Sequence, residues 1–180
     1  MSRLRLFVAL DLPEPAVEAL VRFRDAAADP EVWRPLAEES LHITLAFLGH
    51  RPEADVVAVR AILDAVPAPG APALALGEAL LLPPRRARVL TVAVVDGSGA
   101  LGGLQAELAG RLAAAGVFEP EARAYRPHVT VARLRPGARA PRAVPASPEG
   151  VRFAGGPIVL YRSHVARGGA TYEPLVVRRL

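Results

Sequence analysis

Two tetrapeptides, His42-Ile43-Thr44-Leu45 and His128-Val129-Thr130-Val131, carry the residue types from which acid–base chemistry is made. In a strand, residues i and i+2 share a face. His42 therefore points with Thr44, and His128 with Thr130, while the aliphatic residues of each tetrapeptide turn to a core. A polar pair on an otherwise apolar strand is costly to bury without partners. Two such pairs in matching contexts predict one shared cleft. Imidazole titrates near neutrality, at about 6.5, so one copy can be neutral while the other is protonated. Two facing histidines then supply a base and an acid without a metal. The threonine hydroxyls donate to charged oxygens, which positions a bound anion rather than moving its protons. Residue type alone leaves open which histidine is the acid.

The elements that must position these residues are legible as two copies of strand–helix–strand. The first runs from an apolar strand, Arg5 to Leu12, through a helix opened by Pro13 and Pro15, to a strand from Leu41 to Leu48 stopped at Gly49. That helix is expected to bury Val17, Leu20 and Val21, and a Pro-broken connection through Pro30, Trp33 and Pro35 follows it. The second copy runs from a strand at Arg88–Val95, through a helix with Leu101, Leu104, Leu108 and Leu112 in register and Gly116 at its end, to a strand at Pro127–Leu134. Between them Pro52 is expected to start a helix with Val56, Val59, Leu63 and Val66 on one face, followed by a loop at 65–72 and a strand at Ala73–Leu82. A Pro/Arg/Ala-rich loop at 135–148 precedes strands near Val151–Phe153, Ile158–His164 and Tyr172–Val177. The two histidines stand nearly half the chain apart, the trace that a duplication leaves. The expected fold is α+β and bilobal, with pseudo-two-fold symmetry, antiparallel sheets lining a central cleft and helices outside. All of residues 1–180 form a single domain of two interleaved lobes on this reading.

Composition narrows the chemistry further. Hydrophobic residues make up 52% of the chain, too many for a disordered protein. There is no cysteine, so disulfide scaffolds, thiol nucleophiles and thiolate metal sites are all excluded. Four histidines with no His-x-x-x-His spacing leave no metal-ligand pattern, and no cofactor is expected. The net charge is +4 and every basic residue is arginine, whose planar fork binds phosphate bidentately. The apolar run Leu6–Leu10 is too short for a secretory leader or a membrane span, and a soluble, cytoplasmic protein is expected.

The doubled motif resembles the paired signatures (HxTx) of the 2H phosphoesterase superfamily, and most closely the bacterial and archaeal RNA 2′,3′-cyclic phosphodiesterases, also called the 2′-5′ RNA ligase family. The likeness extends over nearly the whole chain: Arg5 to Leu10, Leu41 to Gly49, Arg126-Pro127-His128 to Arg133, Leu160 to Ser163, and Tyr172 to Leu175. The resemblance implies a bilobal fold, no required metal, and hydrolysis of RNA or small nucleoside 2′,3′-cyclic phosphates to 2′-phosphomonoesters. It also implies His42 as proton donor and His128 as proton acceptor, with Arg133 at the family's arginine position. Strict alternation would turn Arg133 away from His128, so it enters the cleft only if the strand ends, twists or bulges after Val131. Phe47 holds the equivalent place in the first copy. Tyr125, Phe47, Tyr161 and Phe7 are candidates to stack on a base, with core packing favoured for Phe7 and Phe47. Two other readings compete: a 2′-5′ RNA ligase or phosphodiesterase, and a non-catalytic RNA-end binding module. The expected partner is RNA or a small cyclic nucleotide, never a membrane, and the expected state is a monomer. With the metal-ligand pattern missing, turnover of a nucleoside 2′,3′-cyclic phosphate is expected to persist in excess chelator. Loss on chelation, restored by zinc or magnesium, would overturn that.

Overall fold

The computed structural model describes residues 3–67, 69–144, 146–166 and 169–180. Positions 68 and 145, within the two expected loops, and the first two residues lie outside the described residues. The elements in chain order are β1 (Arg3–Asp11), α1 (Glu14–Ala27), β2 (Trp33–Pro35), β3 (His42–Pro52), α2 (Asp55–Ala65), β4 (Ala73–Leu82), β5 (Val89–Val95), α3 (Ala100–Ala114), β6 (His128–Leu134), β7 (Arg152–Ala154), β8 (Ile158–Ala166) and β9 (Gly169–Arg178). Among the described residues no helix is long and apolar enough to cross a membrane.

The fold is α+β, with every strand pairing antiparallel, as the sequence predicts. The strands form one continuous curled sheet rather than separate ones, in the order β7-β4-β5-β6-β3-β1-β8-β9, with β2 added on β6. Its two halves mirror each other outward from the middle, where β3 and β6 share a single residue pair, Ile43 with Val129, and β2 continues the junction along β6. Each half sets a histidine strand beside the strand that precedes it through a helix: Asp11 faces His42 across β1 and β3, and Ala93 faces His128 across β5 and β6.

The helices cover one side of this sheet with apolar stripes. α3 buries Leu101, Leu104, Leu108 and Leu112, the leucines that its spacing predicts. Its C-terminus closes as a Schellman turn: Gly116 takes φ +69° and the Val117 N–H reaches the Leu112 carbonyl. α1 is rotated from the expected stripe. Ala16, Ala19, Leu20 and Phe23 are innermost and Val17 and Val21 flank them, because small alanines let the helix lie close to the sheet. Two boundaries also differ. β3 does not stop at Gly49, which takes φ +72° inside the strand, and it runs on to Pro52 because Arg3–Leu6 of β1 pair with it there. Pro52 therefore ends a strand, and α2 starts three residues later. The expected connection after α1 contains β2, whose Trp33 is buried in the core and pairs with Leu134. Three residues carry no readable period, so sequence pattern misses such a strand.

Irregularities in the two histidine strands aim the site. On β3, Val8 pairs with Ala46 but Ala9 with Thr44, so Leu45 is an extra residue. On β6, Leu90 pairs with Ala132 but Thr91 with Thr130, so Val131 is extra at the matching place. Both are β-bulges, each followed by a second buried residue, and each resets the alternation of the strand. A bulge frees a backbone carbonyl that must find another donor. The Gln105 amide donates to Leu45 (3.2 Å), and the Leu36 N–H donates to Val131 (2.9 Å).

The end of β1 is clamped beside His42. The Gly156 N–H donates to the Asp11 carbonyl (2.9 Å), and the Asp11 N–H to Pro157 (3.0 Å). A Cβ at Gly156 would stand 2.8 Å from that Asp11 oxygen, and backbone on both sides has no room to move. Gly156→Ala is expected to cost about 1–3 kcal/mol, the range for overpacking, in equilibrium urea unfolding.

Candidate active site

His42, Thr44, His128, Thr130, Phe47 and Arg133 all line one cavity of about 120 Å³ on the sheet face away from the helices. The bulge at Val131 is what brings Arg133 there: it turns the strand by one residue, so the guanidinium joins the face of His128 and Thr130. The bulge at Leu45 does the same for Phe47, which is 46% exposed at the rim. Arg5 lies over the Phe47 ring at 4.7 Å and donates to the Ser163 hydroxyl (2.8 Å), so a second cation borders the cavity.

Both imidazoles are held in the same way. His42 Nδ1 bonds the Ser40 carbonyl at 2.9 Å, and His128 Nδ1 bonds the Arg126 carbonyl at 2.7 Å. A carbonyl only accepts, so each Nδ1 carries a proton and donates it. Each Nε2 is thereby left for the cavity, and that of His42 lies 3.1 Å from the Thr44 hydroxyl. Ser40 is buried at the end of a single 3-10 turn, Glu38–Ser40, which fixes the carbonyl that orients His42.

The surroundings of His42 are aromatic. Phe7 stacks on the imidazole with centroids 4.9 Å apart, and Tyr172 meets it edge-on at 5.4 Å. Tyr161 also stacks on Phe7 at 5.3 Å, tilted 6.4 Å from His42, and its hydroxyl donates to Asp11 at 2.9 Å. Burial pushes the Asp11 carboxyl up, against that hydrogen bond, and burial with the Asp11 charge pushes the Tyr161 phenol up. Burial also lowers His42 to about 4. The Ser40 carbonyl opposes this, while Arg133 and His128 add to it. Burial therefore keeps His42 neutral at pH 7.

Sequence reasoning and structure part at Tyr125. It does not line the cavity; its hydroxyl donates to the Thr44 carbonyl at 3.1 Å, and burial raises its pKa. Tyr125 thus supports the back of β3 rather than offering a face to a base. Phe7, favoured as core, lines the cavity as well as being buried. Tyr172, Arg5, Ser40 and Leu36 also line it and were not read as site residues. For Tyr172 and Arg5 the signal was present, since both lie in the segments that carry the family resemblance. Ser40 and Leu36 act through backbone geometry, which side-chain type does not announce. Among the described residues no cluster of His, Asp or Glu is arranged to hold a metal ion.

These features are those of two-histidine phosphoesterases, and the chain belongs to the 2′-5′ RNA ligase superfamily, whose family model matches residues 12–166. It is 33% identical over 173 residues to the RNA 2′,3′-cyclic phosphodiesterase of Escherichia coli, covering 95% of this chain and 93% of that one. Among solved structures it is similar to E. coli LigT complexed with 3′-AMP, with a TM-score of 0.80, 30% identity and 99% of both chains covered. A Thermus thermophilus protein of 26% identity matches with a TM-score of 0.82, over 98% of this chain and 97% of that one.

The lowered His42 has a measurable consequence. Its folded pKa lies below that of the unfolded chain, so the unfolded state binds more protons between about pH 6.5 and 4. This group's contribution to stability is complete above that window and is lost as pH falls through it. An NMR titration is expected to keep the His42 ring neutral, with the proton on Nδ1, down to about pH 5, and to move its midpoint upward when inorganic phosphate is added.

Proposed function

We propose that this chain hydrolyses RNA 2′,3′-cyclic phosphate ends, and small nucleoside 2′,3′-cyclic phosphates, to 2′-phosphomonoesters. The observation that carries this reading is the pair of Nε2 atoms directed into one cavity with Arg133 and two threonine hydroxyls. The E. coli relative bears the name of that activity, and LigT structures hold 3′-AMP or phosphate.

His128 takes a proton from water as the water oxygen bonds to phosphorus. The P–O3′ bond breaks, and His42 gives its Nε2 proton to the departing ribose oxygen. Thr44, Thr130 and Arg133 hold the non-bridging oxygens, whose charge grows in the transition state. An anionic phosphate beside His42 favours the imidazolium, so substrate itself loads the acid that burial keeps neutral. The reaction is proposed for a monomer of one interleaved domain acting in the cytoplasm.

Replacing either histidine with alanine is expected to lower turnover by about two to four orders of magnitude, the contribution of a lost acid or base. Thr44→Ala or Thr130→Ala is expected to cost less. A nitrophenyl ester, whose leaving oxygen needs no proton, should rescue His42→Ala and not His128→Ala. Rescue of His128→Ala instead would reverse the acid and the base, and full activity of both variants would overturn the proposal.

A further inference from the structure

The pairing of β2 with β6 sets Arg34 directly opposite Arg133. Opposed residues of an antiparallel pair share a face, with Cα atoms about 5 Å apart. Trp33 is buried on the other face, and Leu36, two residues on from Arg34, lines the cavity beside Arg133. Arg34 therefore stands on the cavity side, one strand beyond Arg133 and just outside the cavity wall. Like charges set directly across a sheet are destabilising unless something neutralises them. Among the described residues neither guanidinium has a carboxylate within ion-pair distance. The cationic character continues past this pair. At the same end of β6, a groove between the β4–β5 turn and the segment after β6 is walled by Arg85, Arg86, Arg88, Arg135 and Arg139, with no acidic residue in its lining.

A mononucleotide 2′,3′-cyclic phosphate brings one phosphate, and the histidines, threonines and Arg133 already serve it. We infer that Arg34 binds the next phosphodiester upstream, so that the preferred substrate is an RNA strand end rather than a free cyclic nucleotide. The inference rests on the proposed reaction for the position of the terminal phosphate. The like-charge pair is then a built anion site, incomplete until a second phosphate lies over it.

The test compares cytidine 2′,3′-cyclic phosphate with a short oligoribonucleotide ending in the same group. Wild type is expected to prefer the oligonucleotide in kcat/KM. Arg34→Ala should shrink that preference tenfold or more. Arg34→Gln, which keeps most of the stem and loses the charge, should do likewise and guards against a folding defect. Binding of an oligoribonucleotide 2′-phosphate, followed by fluorescence anisotropy, should lose about 0.7 from its log–log salt slope, the value for one phosphate contact on a single strand. An unchanged preference together with an unchanged slope overturns the subsite while leaving the reaction standing. If wild type opens neither substrate the reaction itself falls, and the salt slope still decides the subsite: a loss of about 0.7 supports it, no change overturns it.

Discussion

The two halves of the sheet join through three β2–β6 pairs and, where the cavity lies, through one β3–β6 pair, Ile43 with Val129. Both side chains of the pair are fully buried on the helix side, which commits their neighbours to the opposite face. Antiparallel register through this pair sets His42 across from Thr130 and His128 across from Thr44. β3 and β6 then part at once. β2 fills the gap along β6, and the divergence leaves the hollow into which the polar residues point. A longer ladder between the halves would have closed that hollow with backbone.

The bulges at Leu45 and Val131 are the second constraint, and they show how a local fault becomes a functional device. Each turns a side chain that regular alternation would hide, Phe47 or Arg133, onto the working face. Each is stabilised from outside its own strand, by Gln105 on α3 or by Leu36 after β2. The halves are alike in backbone and unlike in chemistry: at equivalent places one offers an aromatic ring and the other a cation. That difference, with the aromatic packing around His42, sets the two histidines in unlike surroundings although each Nδ1 donates to the carbonyl two residues earlier.

Much of this was legible in the residues. His-x-Thr twice, the strand–helix–strand order twice, and the leucine stripe of α3 specify the α+β duplication and the cleft face, because period and polarity there agree. The placement of Arg133 depended on a bulge that alternation alone cannot announce; the sequence posed the condition and the register met it. Tyr125 was misread because an aromatic hydroxyl bonded to a backbone carbonyl and an aromatic face open to a ligand look identical in one dimension. β2 was missed because three residues carry no period, and with it went the cross-strand meeting of Arg34 and Arg133, a fact of register alone.

Both rings give Nδ1 to a carbonyl two residues earlier in the chain, so both present the same nitrogen to the same hollow. In the proposed reaction one proton leaves His42 and one arrives on His128. The molecule that has finished a turnover is then the pseudo-symmetric image of the one that began it. Such a site has no intrinsic direction: run backward, it would use the loaded His128 as the acid and the emptied His42 as the base, with a ribose hydroxyl in the place of water. Which way the bond is traded is set by what fills the hollow and by its concentration, and water at full strength favours opening.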